Sequence, residues 1–135
     1  MRLYFLKMLP LALIMRVRLE KLEKNLCVVS IPYYFINKNP FGSIYFAGLN
    51  AAAELSTGIL IRNYFRKHEV SILVKNMQAE FFKKATNRIY FTCSTNLDLI
   101  NTKDQIQTLI LHSEGKDSKS NLACSMTFYW SIKLL

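Results

Sequence analysis

The strongest constraint on this chain is a stretch from residue 44 to about 66. Its middle reads Ala51-Ala52-Ala53-Glu54-Leu55-Ser56-Thr57-Gly58. Apolar or small residues fall on nearly every face of a helix drawn through it, so the spacing predicts a helix buried all round. Gly48, Ala51, Ala52, Ala53, Ser56 and Gly58 carry almost no side chain. A sheet or a second copy of the helix must therefore approach its backbone closely. Arg62, Arg66 and Lys67 fall in the last turns, where cations suit the helix dipole.

Strands are expected on both sides of this helix. Residues 16 to 24 read as a short edge strand, with Val17 and Leu19 on one side. Residues 25 to 35 place Cys27, Val29, Ile31, Tyr33 and Phe35 on one face, a period of two. A cluster of turn formers, residues 37 to 43, follows. Residues 70 to 85 predict a long strand. Val70, Ile72 and Val74 share one phase and Met77, Ala79 and Phe81 the other, so a bulge is expected near Lys75-Asn76. Residues 88 to 99 alternate, with Ile89, Phe91, Cys93, Thr95 and Leu97 inward. Thr102-Lys103-Asp104-Gln105 has capping-box form and predicts a short helix carrying Ile106, Leu109 and Ile110. Gly115 to Ser120 reads as a loop. Residues 121 to 134 alternate again, with Leu122, Cys124, Met126, Phe128, Trp130 and Ile132 on one face. Strands joined mostly without helical crossovers imply an antiparallel sheet of five strands, hence an α+β fold with one long helix against one curved sheet.

Length and composition agree. At 135 residues and 51% hydrophobic, the chain fits one domain, residues 1–135, with a buried core rather than disorder. The apolar segment 1–15 is too short to span a bilayer. It contains Lys7 and is followed by Arg16 rather than by a small-residue cleavage site, so it reads as a helix bent at Pro10 and packed on the domain. Cys27, Cys93 and Cys124 lack metal-ligand spacing and sit in apolar runs, which predicts reduced core thiols in a cytoplasmic protein. Eighteen Lys plus Arg against nine Asp plus Glu give a net charge of +9. That excess predicts an anionic partner: nucleic acid, a membrane surface or a phosphate-bearing small molecule. The basic residues are spread along the chain with no nucleic-acid motif, so nucleic acid and membrane are the less expected of the three. No phosphate-binding loop, dinucleotide fingerprint, zinc motif or serine elbow is present.

Glu54 is the candidate for chemistry. A carboxylate in an apolar, small-residue helix is costly unless it is paired. Asn50 and Thr57 are its helical neighbours; with Ala47, Ala51, Gly58 and Ile61 they form a narrow stripe. Asn39-x-x-Gly42-Ser43 leads into Tyr45-Phe46-Ala47-Gly48, where a helix start exposes backbone N–H groups able to hold an oxyanion. An amide side chain, backbone donors and a carboxylate together suit hydrolysis of an activated acyl group. His68 and His112 are isolated.

The segment NKNPFGSIYFAGLNAAAELSTG resembles the loop-and-helix signature of hotdog-fold thioesterases, most closely an uncharacterised thioesterase-like family within that superfamily. LVKNMQAEFFKKATNRIYFTCSTN resembles that family's long β-hairpin. The spacing is similar to that of the phenylacetyl-CoA thioesterase branch. Asn39 matches its Asn, Glu54 its acidic residue and Ala47 its second glycine. Tyr45 and Phe46 stand where the branch has His and the first glycine, and Gly48 lies one residue on. The resemblance implies a curved antiparallel sheet wrapped around one central helix. It implies Glu54 as nucleophile or general base, Asn39 as orienter, and backbone N–H groups around Ala47 and Gly48 as the carbonyl-polarising site. Tyr45, Phe46 and Asn50 would line the substrate site. Lys83, Lys84 and Arg88, or the cluster Arg62, Arg66 and Lys67, would hold the phosphates of coenzyme A. No cofactor beyond the coenzyme A of the substrate is implied. The site would lie across a dimer interface, in a homodimer or homotetramer, with Glu54 facing the partner's Asn39 loop. The alternatives are a non-catalytic acyl-CoA or acyl-chain binder and a binder of anionic surfaces or nucleic acid.

Overall fold

A computed structural model of the chain describes residues 7–97 and 105–135. It contains helix α1 (Pro10–Ile14), strands β1 (Arg18–Glu23) and β2 (Leu26–Ile31), and a short 3-10 turn (Phe35–Asn37). Helix α2 (Phe46–Tyr64) follows, then β3 (Val70–Phe81), β4 (Ile89–Ser94), β5 (Ile106–Lys116) and β6 (Leu122–Leu134). The six strands form one antiparallel sheet in the order β1-β2-β4-β5-β6-β3. The fold is α+β as expected, with one strand more than expected.

The extra strand is β5. Thr102, Lys103 and Asp104 lie outside the described residues, but Ile106, Leu109 and Ile110 are in a strand, not a helix. Their spacing fits both periods. Pairing with β6 along the whole of β5 decides between them. Leu109 and Leu111 then turn inward while Ile106 and Ile110 stand exposed on the outer face. Gly115 and Lys116 belong to this strand, so the following loop begins only at Asp117. There Asp117 Oδ1 accepts the amides of Lys119 and Asn121 at 2.9 and 3.0 Å.

Other strands follow the sequence pattern closely. The predicted bulge is present: the register with β6 shifts between Val74 and Asn76, leaving Lys75 as the extra residue. Cys27, Val29 and Ile31 of β2 are fully buried. The alternation stops at Pro32, which cannot donate to a ladder, and Phe35 points to solvent. Cys124, Met126, Phe128, Trp130 and Ile132 of β6 are buried, while Leu122 at the strand's start is exposed. All three cysteines are free and buried, and burial pushes their thiols up to about 12. Cys27 and Cys93 face each other across β2 and β4. In α1, Ala12 is in the core, with Leu9 and Leu13 packed against it. Among the described residues no helix is long and apolar enough to cross a membrane.

Helix α2 lies on β2, β4, β5 and β6, and its small residues set how closely. A Cβ on Gly58 would stand 3.2 Å from Trp130 Cη2, and one on Gly48 would stand 3.1 Å from Ile31 Cδ1. Polar residues then pin the contact. Trp130 Nε1 donates to Thr57 Oγ1 at 2.9 Å. Ser56 and Ser113 hydroxyls lie 2.7 Å apart, and Ser56 Oγ is also 2.6 Å from the Ala53 carbonyl. The helix is not buried all round, however. Phe46, Ala47, Glu54 and Arg62 are exposed, because the sheet covers only one side.

Gly115 sits between Phe91 on β4 and Cys124 on β6 in the ladder. A Cβ there would come 2.6 Å from Phe91 Cε1 and 2.8 Å from Cys124 Sγ. Gly115→Ala should therefore destabilise the fold by about 1–3 kcal/mol. The expected readout is a lower urea midpoint with an unchanged slope; an unchanged midpoint would mean the core yields freely there.

Candidate functional site

Ala47, Asn50, Ala51 and Glu54 are spaced so that one face of α2 carries all four. They do line one cavity of about 390 Å³, together with Phe46 and with Val74, Met77 and Phe128 from the sheet. A second cavity of about 430 Å³ continues past Glu54 along the same face. It is bordered by Leu55, Gly58, Ile59, Arg62, Arg66, His68, Ile72 and Trp130. Glu54 thus stands where two largely apolar grooves meet. Although part of its surface is open, crowding by these neighbours raises its carboxyl above the ordinary 4.5, because burial disfavours the charged form. No described cation forms an ion pair with it.

Asn50 lies one turn before Glu54. Its Oδ1 is buried and has no hydrogen-bond partner. A buried acceptor left unpaired is costly, so the cavity presents an unmet need for a donor beside Glu54.

The start of α2 supplies further donors. Tyr45 caps the helix without a side-chain bond. The amides of Gly48 and Leu49 both donate to the Tyr45 carbonyl, at 3.0 and 3.2 Å. The Gly48 amide is therefore engaged inside the first turn. The amides of Phe46 and Ala47 are the ones a helix start leaves without intrahelical acceptors. Tyr45 and Phe46 are both exposed and pack edge to face, with ring centroids 4.9 Å apart.

Asn39 is placed by its own loop. Its Oδ1 accepts the amides of Phe41 and Ser43 at 3.0 and 3.1 Å, and its Nδ2 donates to Ser43 Oγ at 3.0 Å. It borders neither of the two cavities at Glu54. Asn39 and Glu54 share a sequence segment but not a cavity in one chain.

The hairpin cations are occupied. Lys83 pairs with Asp117 at 2.8 Å, and that bond holds the Asp117 carboxyl well below the usual carboxylate range. Lys84 donates to the Phe41 carbonyl at 2.8 Å and so braces the Asn39 loop. Arg88 donates to Ser30 Oγ, also at 2.8 Å, and Ser30 in turn donates to Glu20 Oε1 at 2.6 Å. By contrast, Arg62 and Arg66 share a cavity with Glu54, whereas Lys67 does not. Sequence reasoning missed Trp130, Phe128, Met77 and His68 as cavity walls. The strand residues read only as core, and His68 as isolated. Among the described residues no group of three or more His, Cys, Asp or Glu is placed to hold a metal.

Known structures share this architecture. A Pseudomonas aeruginosa protein of unknown function, PA5026, described as a probable thioesterase, superposes with a TM-score of 0.88 at 19% identity, over 99% of this chain and 93% of that one. A variant of the thioesterase SAV0944 from Staphylococcus aureus gives 0.77 at 22% identity, over 92% and 98%. The thioesterase HI1161 from Haemophilus influenzae gives 0.76 at 13% identity, over 93% and 83%. No curated protein matches the chain. The antiparallel sheet and long helix are the fold these neighbours share, a hotdog fold. Residues 1–132 match the family model described as a domain of unknown function, DUF4442, and the chain belongs to that family.

Proposed function

We propose that this protein hydrolyses an acyl thioester, most simply an acyl-CoA, with Glu54 as general base. The observation that carries the reading is the position of Glu54: a carboxylate with a raised pKa where two apolar grooves meet, on the helix whose first amides lack intrahelical acceptors. A carboxylate whose pKa is raised by burial is better matched to abstracting a proton from water. Water attacks the thioester carbon while Glu54 takes its proton. The oxyanion is held by the amides of Phe46 and Ala47. Collapse expels the thiolate, which recovers the proton from Glu54 as the carboxylic acid leaves. Arg62 and Arg66, at the far end of the second groove, offer charge for the phosphates of coenzyme A.

A second copy of the chain completes the proposal. Strand β3 is a sheet edge, and a long open edge is a template for pairing. The adjacent face of α2 is uncovered. Pairing of two copies there would bring the partner's Asn39 loop toward Glu54. It would also close the apolar grooves from water, with each sheet curving around its own helix.

Free-thiol release should be measured over short, medium, long and aromatic acyl-CoAs. Turnover of at least one is expected, with a loss of about a hundredfold or more in Glu54→Ala. Equal turnover in the variant would remove Glu54 from the site. Asn39→Asp keeps both backbone-amide acceptor bonds of the loop. Its melting temperature should stay close to that of the original chain while turnover falls, if Nδ2 orients the thioester; a drop in both would make Asn39 a loop brace only.

The raised carboxyl also sets a pH dependence. In the folded chain Glu54 holds its proton more tightly than when unfolded, so its contribution to stability is full below its unfolded pKa. That contribution is lost as pH rises through the folded value. Glu54→Gln should therefore melt at a higher temperature than the original chain at neutral pH, and at the same temperature below about pH 4. The reverse order would show that the carboxylate is stabilised by a partner.

A further inference from the structure

Helix α1 and the 3-10 turn are tied into one surface. The Tyr34 hydroxyl donates to the Ile14 carbonyl, and Asn37 Nδ2 donates to the Met15 carbonyl at 2.8 Å. Ala12 anchors α1 in the core, which leaves Leu11 and Ile14 facing solvent with Met8 just before them. Phe35 is 84% exposed, and Met8, Leu11, Ile14 and Ile36 are each more than half exposed. So dense a cluster of large apolar side chains marks an interaction site rather than ordinary surface.

Within the two segments that carry the patch the charges are of one sign. Residues 7–18 and 31–46 contain no Asp or Glu, but carry Lys7, Arg16, Arg18 and Lys38. Arg16 lies over the Tyr34 ring, 4.5 Å from its centroid, and Lys38 lies 5.0 Å from that of Tyr33. Cations therefore stand among the rings at the rim of the patch. A second copy of the same face would set these cations against one another in a two-fold contact. Anionic headgroups over acyl chains complement both features at once.

We propose that this face docks the protein on a bilayer surface carrying anionic lipid. The residues insert no span; they seat α1 and the 3-10 turn in the headgroup layer. The amide of Tyr45 donates to the Asn37 carbonyl at 2.8 Å, so the docked face adjoins the start of α2. The proposal stands whether or not the protein turns over a thioester.

The test is co-sedimentation of the full chain with vesicles of phosphatidylcholine alone and of phosphatidylcholine mixed with phosphatidylglycerol. Retention is expected on the mixed vesicles, weaker on the neutral ones, and reduced by salt. Phe35→Asn combined with Ile36→Asn should weaken retention about tenfold, and Leu11→Asn on the separate element should weaken it as well. Lys38→Gln should weaken it about fivefold. These side chains are exposed, so circular dichroism should be unchanged. Equal retention on both vesicle types, no retention on either, or unaltered binding by the double variant overturns the proposal. So does a dimer in gel filtration that the double variant splits, which would assign the face to a second copy.

Discussion

The close seating of α2 on the sheet is the contact on which the rest of this molecule depends. Gly58 admits the edge of the Trp130 indole, and Thr57 accepts its N–H at 2.9 Å. Gly48 admits Ile31 in the same way. A side chain at either position would require Trp130 or Ile31 to give way by a few tenths of an ångström. Ser56 and Ser113 add a buried polar tie to β5. Buried hydroxyls are tolerable only because each finds a partner, so they fix rotation and height of the helix as well as its attachment.

That seating leaves the other face of α2 open, and the candidate chemistry follows from it. The sheet covers Leu49, Ala52, Ala53, Leu60 and Ile61 but stops short of Ala47, Glu54 and Arg62. Strand β3 extends beyond the helix with its inner side chains only partly buried. Between them run the two grooves that meet at Glu54. The same incomplete coverage crowds that carboxyl enough to raise its pKa while leaving it reachable.

Charge is divided by task. Lys83, Lys84 and Arg88, which look in sequence like a free basic cluster, are consumed by Asp117, the Phe41 carbonyl and Ser30. Of the three, Lys84 braces the loop that carries Asn39. Arg62, Arg66 and Lys67 at the C-terminal end of α2, and Lys7, Arg16 and Lys38 around the apolar face of α1, face solvent. A net charge of +9 says nothing of this division, because a side chain's availability depends on what the fold sets beside it.

The amino-acid sequence by itself determined the periodic features. The small-residue helix, the alternating strands β2, β4 and β6, and the bulge at Lys75 are all local patterns, written in neighbouring residues and legible without contacts. The tertiary structure alone decided what depends on distant partners. Ile106, Leu109 and Ile110 suit helix and strand alike until β6 pairs with them. Asn39 and Glu54 are near in sequence, yet the loop's own hydrogen bonds keep Asn39 out of the Glu54 cavities. Trp130 and Phe128 read as core until the helix stops beside them and makes them walls. Local spacing encodes which faces are apolar. Which of those faces is covered depends on contacts between residues far apart in the chain.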